Sequence, residues 1–244
     1  MAATWNSSAV MAVCRKFTGA APAKVTVPEP YLPYVPDPWN GILVLAEAQQ
    51  LASANEYREW LLGLSSDERI RRLYLRSPDN IGVGPWDDGS IKLGLLAMLP
   101  ELRLTEVAVS NAVPWSWAKG RSNQNPTEEM QKIAAAFWRE LLTAWRPEIR
   151  CVVAVGKPAQ SVMTASEVKT QIVPLASSSR NFMGRVRWLF DPDDLLRHYP
   201  DVQRATEAVG IRLEGDKEFH NKVFFACHAV SVGRQKLANA LKRL

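Results

Sequence analysis

Short apolar runs alternate along this chain with longer stretches of helical periodicity. Four runs are compact and rich in β-branched residues: Ile42 to Ala46, Glu106 to Ser110, Cys151 to Val155 and Gln171 to Leu175. Their largely unbroken apolar character is that of strands covered on both faces. Between them, apolar positions recur at helical spacing over Asn55 to Leu64, Ser66 to Leu75, Ser90 to Leu99 and Thr127 to Trp145. The longest of these opens on Pro126-Thr127-Glu128-Glu129, where Thr127 can cap the helix and the acids meet its positive end. Strands and helices in alternation predict an α/β fold, a three-layer α/β/α sandwich around a central, largely parallel four-stranded sheet.

Outside that region the pattern changes. Pro22, Pro28, Pro30, Pro33, Pro36 and Pro38 exclude helix and favour an extended strap, so residues 1–40 read as a Pro-rich N-terminal arm. The core spans 41–200, with a helical insertion over 51–83. Asp191-Pro192-Asp193-Asp194 marks a helix start, and Phe219 to Leu244 reads as one or two helices within a C-terminal helical extension, 201–244.

Composition narrows the function classes. With 244 residues, 47% of them hydrophobic and 23% charged, the chain can bury a full core, which excludes disorder. A net charge of +5 suits a polyanionic partner without requiring one. Cys14, Cys151 and Cys227 are widely spaced and form no CxxC, so neither a disulfide scaffold nor a zinc site is expected, and a cytoplasmic, reducing setting fits. No apolar run approaches the roughly 18 to 20 residues of a membrane span, so no membrane partner is expected. The Gly-rich phosphate and dinucleotide loops, HExxH and GxSxG are all missing, and His198, His220 and His228 lack ligand spacing. Neither metal nor cofactor is expected.

Polar residues do gather where parallel strands end, the place where open α/β sheets build their sites. Glu47 follows the first apolar run, Asn111 the second, and after the fourth comes Ser177-Ser178-Ser179-Arg180-Asn181, continuing to Arg185 and Arg187 without an acid. Singly, a strand-end Glu or Asn is more often a turn residue; together they predict a shared pocket. Trp115, Trp117, Lys119 and Arg121 interleave rings and cations, a pattern that can stack on bases while contacting phosphates. The same rings can instead pack under their loop, and Trp86 poses the same choice.

The order of these stretches resembles the uracil-DNA glycosylase superfamily. Its first motif, G-E-x-P-G, is matched by Ala46-Glu47-Ala48-Gln49-Gln50, and its P-F element by Gly84-Pro85-Trp86. Its strand ending in N, and the N-R-x-P-T loop beyond, are matched by Ser110-Asn111-Ala112-Val113 and Ser122-Asn123-Gln124-Asn125-Pro126-Thr127. A strand ending in Gly156 follows, and Ala176-Ser177-Ser178-Ser179-Arg180-Asn181 stands where the second motif reads H-P-S-P-R-N. Gln49 and Gln50 replace that family's proline and glycine, and Ala176 and Ser177 its histidine and proline.

The resemblance implies a DNA glycosylase that flips a base out of the stack and hydrolyses its N-glycosidic bond. It implies Glu47 beside the sugar, activating water or offsetting positive charge, and Asn111 on the base edge. Trp86 would stack on the flipped ring, while Gln49 and Ser178 line the base pocket. Arg180, Asn181, Arg185 and Arg187 would belong to the loop that meets DNA, single- or double-stranded. The glutamines and the insertion suggest a modified pyrimidine, such as foreign DNA carries, as readily as uracil. The enzyme is expected to act as a monomer. The alternative is a catalytically silent DNA-binding module of the same fold; a small-molecule N-glycoside hydrolase or a protein-interaction domain is more distant.

Overall fold

The structure, a computed structural model, describes residues 7–23, 25, 27–48, 63–73, 81–115, 126–145, 148–178, 192–210 and 217–242. Among them are four strands, β1 (Ile42–Ala48), β2 (Ala108–Val113), β3 (Cys151–Val155) and β4 (Gln171–Leu175). The helices are α1 (Ser8–Gly19), α2 (Ser66–Leu73), α3 (Gly84–Asp87), α4 (Ser90–Met98), α5 (Glu128–Trp145), α6 (Lys157–Ala165), α7 (Pro192–His198), α8 (Pro200–Val209) and α9 (Lys217–Lys242). The strands form one sheet in the order β2-β1-β3-β4, and every pairing is parallel.

The apolar runs are continuous because both faces of the sheet are covered. On one face Leu43, Leu45, Ala108, Ala112, Val152 and Ala154 pack under α1, α5 and α6. On the other, Ile42, Val44, Ala46, Val109, Val153 and Val173 pack under α3, α4 and α9. The three-layer sandwich follows directly. Outside it, Leu196, Val202 and Ala205 of α7 and α8 close over Leu93, Ala97, Val223 and Ala226 of α4 and α9.

Several boundaries differ from the sequence reading. Residues 8–19, expected to be part of the Pro-rich arm, form α1, because Val10, Cys14 and Phe17 make a helical stripe that is buried. Strand β2 begins two residues later than expected, since Leu104–Glu106 winds a short 3-10 turn first. Strands β1 and β2 also run on to Ala48 and Val113, so Glu47 and Asn111 lie within strands rather than beyond them.

The largest difference concerns the C-terminal helix, which is a layer of the sandwich and not an appendage. It runs antiparallel to β4. Gln171, at the strand's start, donates through Nε2 to the Lys236 carbonyl at 3.1 Å, while His228 meets Ala176 just past its end. Gly233 permits the approach, because a Cβ there would fall 2.6 Å from Met98 Sδ and 2.9 Å from Leu175 Cδ2.

The proline-rich strap is extended, as expected, and it closes the open edge of β2. Tyr34 and Val109 exchange backbone hydrogen bonds of 2.9 Å in each direction, and Tyr31 N–H donates to the Pro114 carbonyl at 2.7 Å. An unpaired edge that would otherwise invite another strand is thereby satisfied. Glu29, fully buried in the strap, accepts from Ser66 Oγ and Arg69 Nε, both at 2.8 Å, and so ties it to α2 of the insertion.

Candidate active site

The strand order fixes where a cleft must open. The chain leaves β1 for β2 on one side and later places β3 on the other, so the direction of winding reverses between β1 and β3. Helices of successive crossovers then lie on opposite faces, α4 after β1 and α6 after β3, and the strands' carboxyl ends part between them. Glu47 stands near the end of β1 at this point.

Its side chain lies over Gly156, the residue that leaves β3 and precedes α6. A Cβ at 156 would overlap the Glu47 carboxyl, and the backbone there has φ +87°. Glycine therefore meets two demands, close approach and a left-handed backbone. Burial pushes the Glu47 pKa up from the ordinary carboxylate value, and a hydrogen bond from the Ser177 hydroxyl partly opposes that rise. Gly156 N–H and Gln160 Nε2 both donate to the Leu175 carbonyl, at 3.0 and 2.6 Å, locking the ends of β3 and β4 together.

A histidine that the sequence did not bring near this site arrives from α9. His228 Nε2 accepts from the Ala176 N–H at 3.1 Å, directly before the serine that bonds Glu47. Burial pushes its pKa down, so the ring is neutral at pH 7 and carries its proton on Nδ1. Fifty-two residues separate the partners, and no local pattern announces the contact.

Asn111 is 2% exposed, and its Nδ2 finds no partner among the described residues. It stands opposite Ala46 in the register and so belongs to the face covered by α4 and α9, whereas Glu47, one residue on, turns to the α6 face. The expectation of one shared pocket is corrected accordingly: the two side chains leave opposite faces of the same carboxyl edge.

Two tryptophans are also corrected. Trp86 is 3% exposed, packed beside Ile81, Val83 and Ile91 with Lys92 Nζ 5.5 Å from its ring centroid, and it offers no open face for stacking. Trp115 is fully buried, sends its indole N–H to the Pro28 carbonyl at 3.0 Å and packs edge-on against Phe137. It anchors the strap rather than DNA. Ser178 is half-buried on the exit from β4. Gln49, Trp117, Lys119, Arg121, Arg180, Asn181, Arg185 and Arg187 lie outside the described residues.

A groove of about 460 Å³ runs between α5 and α6, bordered by Glu128, Gln131, Lys132, Lys157 and Ser161. It contains neither Glu47 nor Asn111, but Lys157 directly follows Gly156. Among the described residues no cluster of His, Cys, Asp and Glu could hold a metal, and no helix is long and apolar enough to cross a membrane. The three cysteines are buried and unpaired, their thiols pushed up to about 12 by burial. No protein-family model matches the chain, and no curated protein matches it.

Proposed function

We propose that the protein is a DNA N-glycosylase that excises an altered pyrimidine, acting as a cytoplasmic monomer without metal or cofactor. The observation that carries this reading is the half-buried Glu47 carboxylate at the switch point, seated on a glycine and bonded by Ser177. A carboxylate whose pKa is raised by burial is better matched to taking a proton from water than an exposed one. In the reaction the C1′–N bond breaks with its electron pair leaving on the base. Water adds its oxygen to C1′ and gives up a proton, and the base takes up a proton from solvent. Glu47 offsets the positive charge that develops on the sugar and holds the attacking water.

Asn111 is closed to a base as Trp86 is, its Nδ2 buried on the face opposite Glu47, so the reading rests on Glu47. Burial of Trp86 and Trp115 removes two stacking rings from the enzyme and from a silent binding module alike.

The test incubates the full-length protein with DNA containing a panel of altered and normal pyrimidines and reads alkali-labile abasic sites. Release from at least one altered pyrimidine is expected. In Glu47→Gln, single-turnover release should fall by at least about 10²-fold, the lower end for a positioned general base, with DNA affinity unchanged. Absence of release from every substrate overturns the enzyme and leaves a binding module.

A further inference from the structure

We infer that His228 is a positioning residue for the Glu47 site: its Nε2 holds the Ala176 backbone and thereby aims the Ser177 hydroxyl at the Glu47 carboxylate. The inference rests on the reading of Glu47 just given. Two layers of the sandwich converge on two consecutive residues. From the α6 face, Glu47 takes a hydrogen bond from Ser177, and from the α9 face, His228 takes one from Ala176.

Strand geometry explains why an acceptor is needed there. The Leu175 carbonyl points toward β3, where it receives Gly156 N–H, so the N–H across the same peptide, that of Ala176, points the opposite way. Among the described residues β4 is the last strand of the sheet, so that direction leads away from the other three. Without a partner the N–H would be left unsatisfied in a half-buried place, and the chain could turn to satisfy it, carrying Ser177 with it. His228 supplies the acceptor from the helix that passes the end of β4.

A neutral imidazole suits this task only while it stays neutral. A proton on Nε2 would set a donor against a donor and break the contact. Among the described residues, several charged side chains on α9 and the elements around it are engaged elsewhere. Lys92 lies over Trp86, Lys222 bonds the Asp88 carbonyl, and Arg234 bonds Asp201 and the Ala97 carbonyl. Asp194 is paired with Arg197, and Glu47 faces Ser177. Burial is the cause that lowers the ring's pKa, and the contact persists at neutral pH.

The experiment compares His228→Gln, which keeps an acceptor that does not titrate, with His228→Leu, which has none, and with Ser177→Ala. Single-turnover base release should drop on the order of 10-fold in the leucine variant, the size of a lost hydrogen bond to a charged group, with DNA affinity unchanged. His228→Leu and Ser177→Ala combined should cost no more than either alone, since both act through one bond. The glutamine variant should keep the rate at pH 7 and lose that part of the acid fall which His228 causes, below its ordinary value of 6.5, keeping the part that protonation of Glu47 causes. Wild-type rates in the leucine variant, or additive losses in the double variant, overturn the inference. Where the leucine variant does not fold, the pH profile of the glutamine variant decides: an acid limb that persists unchanged overturns it.

A second readout does not depend on turnover. The Glu47 carboxyl, followed by NMR, should titrate higher in both His228→Leu and Ser177→Ala than in wild type, because the same hydrogen bond is gone. A Glu47 titration that moves in Ser177→Ala and stays put in His228→Leu overturns the inference. A wild type that releases no base would sink the proposed function alone, leaving this titration to judge the role of His228.

Discussion

Ionising Glu47 works against its own burial, and that conflict has a measurable sign. Its folded pKa lies above the ordinary value of 4.5, so between the two the folded state holds a proton that the unfolded chain has lost. The associated stability is fully present below pH 4.5 and is lost as pH rises through the folded pKa. In Glu47→Gln that loss disappears. The variant should match wild type near pH 4 and exceed it at pH 7 in urea unfolding, with the His228 contribution common to both and cancelling. A carboxylate that merely stabilised a turn would give the reverse, a variant weaker at neutral pH. Glu47 and Gly156 were legible as residues, an acid closing one apolar run and a glycine closing another, but their contact was not. The tryptophans misled for a physical reason. A ring beside cations in a Gly- and Ser-rich loop looks the same whether it awaits a base or anchors the loop, and only the Trp115 bond to Pro28 separates the cases.

At the scale of elements, the strands and the longest helix of the core were readable because burial on both faces leaves an apolar run and a capped helix leaves its cap. Thr127 does cap α5, its Oγ1 accepting from Met130 N–H at 3.3 Å. What could not be read was the partner of each element. Helix α9 mixes polar and apolar residues along its length, and its place as a layer depends on close passes at Gly94 and Gly233, which fit Phe225 and Met98 respectively. Gly233→Val should therefore cost about 1–3 kcal/mol, the range for overpacking a filled core, seen as a lower urea midpoint with unchanged slope. A neutral outcome would mean that α9 sits farther from β4 than this packing requires. The His228 contact makes the same helix part of the candidate site, so the destabilised variant should also show faster exchange at the Ala176 amide.

For the whole molecule, charge distribution decides how the edge meets a polyanion. In the sequence, the stretches 112–127 and 175–190, which contain cations and no acids, begin at the ends of β2 and β4. Lys132 and Lys157 border the neighbouring groove. On the proposed function, DNA would displace counterions on binding, so affinity should fall steeply as salt rises. Replacing Arg180, Arg185 and Arg187 together should flatten the slope of log affinity against log salt by up to about three, one for each phosphate no longer neutralised. Glu47→Gln should leave that slope where it is, because in the proposed reaction the carboxylate meets the sugar and releases no counterion. The two outcomes separate binding from chemistry in one titration series. An unchanged slope in the triple variant would assign the arginines to structure and move the phosphate path toward Lys132 and Lys157, whose replacement should then carry the loss.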